Sequence, residues 1–410
     1  MKASSYQRLP TVTTADKPQL DPMTVVRDLC ALPHRGATTA NEYEAADRLE
    51  RHLRSLGADV RRQRFKTART YVSEIWWMIC ALVLGLLLLP VLTKVGAVWV
   101  TCWVALALHY FDWRASPVAW LPLRRFSQNV IGSHPSAQEG THHLLLMAHY
   151  DSAPVSLLYL PSMVKNFRSS LLTSLALMLV AAVVAWLYAL GVGLPWVDWA
   201  RYLLAGYFLL QGFVASFDYW RLGFTNGAAD NATGAGVAVA TAARLWAKPP
   251  AGWKVDIVLT GAEETNLKGA RAFYNEWVGT ADKRRTFLFN FDNLGAGAAT
   301  IVTETGSLTR IVYANALIEA AVHVAANDAR FSDIQKGPWH TGDFDSSWFA
   351  RAGIPAMTLS ARDEHGLIPN LHRPSDTLSN VIEALPRHAV DFAESVVRRL
   401  AAVTQGPPPE

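Results

Sequence analysis

Four apolar runs, arranged as two close pairs, constrain this chain more than any other feature. Residues 75–92 and 95–111 form runs of 18 and 17 residues, near the lower limit for spanning a bilayer. Only "TK" stands between them, which predicts a tight helical hairpin. Residues 171–192 run for 22 positions without a charge and make the clearest span. Residues 202–217 are shorter and carry Gln211. One such run would suit a buried core helix; four in two pairs suit two transmembrane hairpins better. Trp76, Trp77, Tyr110 and Trp113 stand at run ends, where amphipathic rings favour the membrane interface. An apolar fraction of 51% agrees, being above the soluble norm.

Flanking charge gives an orientation. Arg61, Arg62, Arg64, Lys66, Arg69, Arg114, Arg124, Arg125, Lys165, Arg168 and Arg221 lie outside the hairpins, against Lys94 and Arg201 at their tips. By the positive-inside rule the soluble part faces the cytoplasm, and a bacterial-type inner membrane is the expected location. Residues 1–20 lack an apolar core and read as a flexible arm rather than a secretory signal. Three cysteines form neither a disulfide framework nor a thiolate zinc motif. A net charge of +4 without a dense basic and aromatic cluster gives no case for nucleic acid binding.

Outside the hairpins the chain alternates strand and helix in the α/β manner. "ADVRRQRF", "QNVIGS", "HHLLLMAH", "KVDIVLT", "TFLFNFD" and "GIPAMTLS" read as strands. A helix near residues 40–56 precedes them, and residues 233–247, 266–278, 308–325 and 380–403 read as further helices. "QNVIGS" and "HHLLLMAH" are joined too briefly for a crossover and are expected to pair antiparallel. The chain then divides into an arm (1–20), peptide segments of one soluble domain (21–70, 123–160, 223–404), two inserted hairpins (71–122, 161–222) and a tail (405–410).

The strand ends carry the chemistry. The first apolar strand ends in His149 and Asp151, the next in Glu263 and Glu264, a third in Asp292, and the segment after the last carries His372. Asp230 sits in a glycine-rich loop before a helix. Singly these are ordinary: an Asp before a helix is usually an N-cap, and paired glutamates are usually solvated. Together they matter, because ligands in open α/β sheets collect beyond the carboxyl ends of strands. Oxygen and imidazole donors without cysteine suit catalytic zinc. Five candidate ligands around one bridging carboxylate suit two metals about 3.5–4 Å apart, leaving one glutamate as base.

"HYDS", "GAADNATG", "GAEE", "FDNLG" and "LHRPSDT" appear in an order that resembles the di-zinc exopeptidases of the bacterial leucyl aminopeptidase and glutamate carboxypeptidase type, the M28-like peptidases. The resemblance covers roughly residues 20–70, 125–155 and 225–403. It implies a three-layer αβα zinc-exopeptidase domain with a mixed central sheet, here bearing two inserted α-helical transmembrane hairpins. It also implies two Zn2+ ions bridged by Asp230, with His149 and Asp292 completing one set and Glu264 and His372 the other. Asp151 would orient the His149 ring, and Glu263 would be the general base for hydrolysis of a peptide substrate. In soluble relatives a short loop joins the His-x-Asp motif to the bridging Asp; here His149 and Asp230 lie 81 positions apart, and the excess is the second hairpin. The active site is therefore expected beside the lipid bilayer.

An aminopeptidase must hold a free amine, for which Asp343, Asp345 and Glu364 are candidates. A carboxypeptidase would need a cationic clamp, such as Arg351 or Arg362. The segment "GDFDSSWFARAGIPA" lacks a histidine that some relatives carry there. Aminopeptidase is the preferred reading. A mono-zinc glutaminyl cyclase and a non-catalytic membrane receptor or transport subunit are the alternatives, and the oligomeric state is open.

Overall fold

A computed structural model describes residues 20–404 apart from 113, 115 and 193. The expected tail, all but the last residue of the arm, and Trp113 lie outside the described residues. Helices α1 (Pro22–Cys30) and α2 (Ala40–Ser55) open the fold, capped by the side chains of Asp21 and Thr39. Strands β1 (Asp59–Thr67), β2 (Arg125–Ser133), β3 (His142–His149), β4 (Trp253–Thr260), β5 (Thr286–Phe291), β6 (Ala298–Thr305), β7 (Ile311–Val312), β8 (Gln335–Pro338) and β9 (Ala356–Arg362) form one nine-stranded sheet.

The order is β1-β2-β4-β3-β5-β9-β6-β7, with β8 on β6. The central four, β4, β3, β5 and β9, are parallel. They are buried along most of their length, as a doubly covered parallel sheet requires. The outer strands pair antiparallel apart from β8, so the sheet is mixed as expected. Helices α8 (Gly234–Ala247), α10 (Ala316–Asn327) and α12 (Ala384–Thr404) join α1 and α2 over one face. On the other, α9 (Lys268–Trp277) and α11 (Ser346–Arg351) pack through Phe273, Trp277 and Phe349.

Two expectations need correction. β2 and β3 are not partners: β4 lies between them, antiparallel to β2 and parallel to β3. The connection across residues 134–141 is long enough to step over one strand, roughly 10 Å across the sheet. The relative direction survives, so the start of β2 and the end of β3 still share one sheet edge. Residues 308–325 are not one helix, because Ile311 and Val312 pair with β6. Asn315 then caps α10 by accepting from the N–H groups of Leu317 and Ile318.

The two insertions meet as a bundle. α3 (Tyr71–Leu88) and α4 (Thr93–Phe111) form the first hairpin; its turn falls at residues 89–92, so Thr93 and Lys94 begin α4 rather than making the turn. Pro90 accounts for this, because it cannot continue a helix. The second insertion has a short helix α5 (Pro161–Val164), then α6 (Phe167–Ala189) and α7 (Pro195–Leu222). α3 packs on α4 and α7, and α6 on the same two, closing a four-helix ring. Large apolar side chains such as Val91, Val183, Trp199 and Leu203 point outward from it, opposite to a water-soluble bundle.

Among the described residues three helices, α3, α4 and α6, are long and apolar enough to cross a membrane. The fourth expected span is the middle of α7. That helix has 28 residues, but its uncharged stretch is bounded by Arg201 and Asp218, and it does not reach the same apolarity. The feet of the second hairpin are stitched together, Val155 N–H donating to Gly223 O (3.0 Å) and Thr225 N–H to Ala153 O (2.8 Å). The first hairpin is tied to the domain by Glu74 with Lys268 (3.4 Å) and by Asp112, which accepts from Thr309 N–H (2.9 Å).

Candidate metal centre

The parallel register places His149 opposite Thr260, so β3, β4 and β5 deliver their terminal residues to one edge. β4 passes into a turn in which Ala262, Asn266 and Leu267 all have positive φ, a costly conformation for side-chain-bearing residues. Asp151 holds that turn: its carboxylate accepts the N–H groups of Glu263 (2.9 Å) and Glu264 (3.2 Å). Its distance to His149 Nδ1 is 3.5 Å, longer than a good hydrogen bond. Asp151 therefore acts on the glutamate turn at least as directly as on the imidazole, a role the sequence reading missed.

Asp230 lies between the two histidines. One carboxylate oxygen is 3.3 Å from His149 Nε2 and the other 3.3 Å from His372 Nε2. His149 Nε2 is also 3.6 Å from Asp292, and His372 Nε2 is 3.1 Å from Glu264. Three groups could hold an ion: His149 with Asp230 and Asp292, His372 with Asp230 and Glu264, and His149 with Glu263 and Glu264. All the sequence candidates for ligands and base thus converge, and Asp230 is not an N-cap but part of the turn across residues 228–233.

Electrostatics test whether these residues suit a cation. Burial raises the Glu263 carboxyl well above its usual range, the His149 cation opposing and Glu264, Asp345 and Asp292 adding to the rise. Burial likewise lifts Glu264 to about 7 and Asp292 to about 8. For His372 burial would lower the imidazole, but Glu264 and Asp230 outweigh it and hold it at about 10. His149 is raised in the same way, burial being overcome by Glu263 and Asp292 and by the nearby carboxylates of Asp151 and Asp230. The Asp230 carboxyl is instead lowered, its burial outweighed by the two histidine rings beside it. Buried carboxylates crowded this closely need positive charge. Asp230 Oδ2 and Glu264 Oε1 are buried without a hydrogen-bond partner. Orphaned oxygens beside imidazole nitrogens, with no sulfur donor, fit zinc.

Several supporting residues were not found from the sequence. Arg35, fully buried, donates to Tyr150 O (2.6 Å), Asn226 O (2.7 Å) and Gly227 O (2.6 Å), joining the end of β3 to the Asp230 loop. Asp376 accepts the N–H groups of Ala229 (2.7 Å) and Asp230 (3.2 Å). Asn293 donates to both Asp230 (3.2 Å) and Asp292 (2.7 Å). Tyr159 stacks obliquely on His372, with ring centroids 4.3 Å apart. Asp376 stood inside the quoted "LHRPSDT" and could have been named; Arg35 had no pattern to mark it.

The proposed specificity residues fare unevenly. Asp343 lines the cavity and is bonded by Ser347. Asp345 is buried and accepts from Thr260. Glu364 is exposed beside His365. Arg351 faces Asp112 (3.5 Å) and Asp343 (3.8 Å), and Arg362 donates to Pro338 O. Neither arginine reaches the cavity, about 610 Å³ in volume, that contains the histidines and carboxylates, and no Arg or Lys among the described residues lines it.

Residues 213–397 match the model of peptidase family M28. That match covers a little under half of the chain. The match includes Asp230, Glu263, Glu264, Asp292 and His372; His149 and Asp151 precede it, separated by the second hairpin. No curated protein matches the chain. Among solved structures it is similar to the Porphyromonas gingivalis glutaminyl cyclase, at 18% identity and a TM-score of 0.54, covering 94% of this chain and 97% of that one. A zinc aminopeptidase from Bacillus subtilis aligns at 15% identity and TM-score 0.52, covering 92% and 94%. A Zn-dependent exopeptidase from Parabacteroides distasonis aligns at 15% and 0.52, covering 95% and 99%. These likenesses establish the zinc-exopeptidase fold.

Proposed function

We propose that this protein is a membrane-anchored di-zinc aminopeptidase that releases N-terminal residues from peptides. The observation that carries the reading is Asp230, whose two carboxylate oxygens each face a different histidine at 3.3 Å. His149, Asp292 and Asp230 would hold one ion, and His372, Glu264 and Asp230 the other. Bound zinc would polarise the scissile carbonyl and acidify the attacking water. Glu263, left over from both sets, would take the proton from that water and pass it to the leaving amine. Asp151 fixes where Glu263 stands through its backbone N–H. Asp343, in the cavity wall, is the acid placed to meet a free amine. That no Arg or Lys among the described residues lines the cavity counts against a carboxypeptidase. A glutaminyl cyclase reading draws on fold neighbours such as the Porphyromonas enzyme, but a cyclase with one zinc has no use for both ligand sets.

α3, α4, α6 and α7 would anchor the domain in the bilayer, with the metal centre on the cytoplasmic side. The test of activity is hydrolysis by solubilised, zinc-loaded protein. Leucine p-nitroanilide should be cleaved and N-acetylated leucine p-nitroanilide should not. Cleavage of the blocked compound alone would contradict an aminopeptidase.

A further inference from the structure

The cavity holding the metal ligands does not stop at the sheet edge. It continues into the helix bundle, lined by Ile75 and Ile79 of α3, Leu171, Leu175 and Met178 of α6, and Ala215 of α7. From Phe167 at its mouth to Met178 is eleven residues of helix, a rise of roughly 17 Å. It also opens sideways. Leu210 and Ser170 line it, yet Leu210 is 63% exposed and Ser170 is exposed too. These residues belong to α6 and α7, so the cavity reaches the outward-facing apolar surface along the α6–α7 seam.

The few polar groups in the deep part are already engaged. Ser174 and Tyr207 share a hydrogen bond between hydroxyls (3.0 Å), and Gln211 donates to Ser174. The helix backbone around them is satisfied by its own bonds. A peptide threaded here would bury N–H and C=O groups without partners, a cost of several kcal/mol for each such group. A hydrocarbon chain carries no such groups.

We propose that the bundle cavity holds a hydrocarbon chain of the substrate, so that the enzyme cleaves amphiphilic amides taken from the bilayer through the α6–α7 seam. The assignment rests on the hydrolytic reading of the same centre. In the reaction the amide C–N bond breaks, the oxygen of water joins the carbonyl carbon, and a proton from that water ends on the released amine. The polar end of the substrate stays with Asp343 and the metal ligands, while the chain lies among Ile79, Leu175 and Met178.

The experiment is a chain-length series of leucine alkylamides, from ethyl to octyl, with leucine p-nitroanilide as reference, on full-length zinc-loaded protein in lipid nanodiscs. kcat/KM should climb by up to about fourfold per added methylene, the equivalent of about 0.8 kcal/mol. Leu210→Trp, at the exposed lateral opening where folding should tolerate it, should flatten the climb. A diazirine at the end of a dodecyl amide should crosslink to residues 175–178; labelling confined to outward residues such as Leu203 would overturn the proposal. A flat series with normal nitroanilide turnover would overturn the hydrocarbon assignment alone, and so would an equal gain from leucyl peptides extended by apolar residues. No turnover of any compound would instead defeat the hydrolytic reading beneath it.

Discussion

Glu263 and Glu264 are neighbours in sequence with different surroundings. Asp151 accepts the N–H groups of both, but Glu264 is 3.1 Å from the His372 ring, whereas Glu263 belongs to neither set that shares Asp230. Replacing Glu263 by Gln should keep zinc and lower kcat by about 10²–10⁴-fold, the usual worth of a general base. Full activity in that variant, measured beside its zinc content, would remove Glu263 from the reaction. The protonation of the centre gives a second expectation. Glu264 at about 7, Asp292 at about 8 and His372 at about 10 are all raised, so each carries a proton over more of the pH range than usual. Ligands must give up protons to bind metal. Zinc affinity of the metal-free protein should therefore fall as pH drops from about 9 to about 6, with protons released on binding. Calorimetry in buffers of different ionisation enthalpy would detect this; a pH-independent affinity would speak against these residues as ligands.

At the scale of elements, the site depends on bonds between loops that are remote in sequence. Arg35 joins the end of β3 to the Asp230 loop through three carbonyls. Arg35→Leu would leave those acceptors buried without partners and should cost on the order of 3 kcal/mol of stability, with zinc affinity falling as well. A denaturation midpoint unchanged from the parent would show the bonds to be dispensable. The contrast with the ligands explains what was legible beforehand. His149, Asp230, Glu263, Glu264, Asp292 and His372 were readable because each follows a short apolar strand or a glycine-rich loop, and together they form one chemical set. Arg35 was not, since an arginine bonded to main-chain carbonyls leaves no pattern in side-chain spacing. The place of β4 between β2 and β3 was equally hidden, because an eight-residue connection can join adjacent strands or step over one. Asp151 shows a third kind of limit: its spacing from His149 suggested a partner for the ring, while the turn after β4 arrives from more than a hundred residues away to take its carboxylate.

Across the whole molecule, two helical insertions and one catalytic edge converge. Ser156, in the segment leading into the second hairpin, donates its N–H to the carbonyl of His372 (3.1 Å), so the approach to the bundle is bonded directly to a member of the ligand set. If the bundle spans the membrane with its domain inside the cell, a cysteine replacing Glu139 should label only in inside-out vesicles and one replacing Lys94 only in right-side-out vesicles. The native cysteines would first be changed to alanine. The reverse pattern would invert the topology. The central claim is narrower and concerns the paired ligand sets around Asp230. It is tested most directly by counting zinc in the purified full-length chain after dialysis against trace zinc. Two ions per chain, both lost in Asp230→Ala, are the result expected; a parent protein that holds one ion or none would contradict a di-zinc centre.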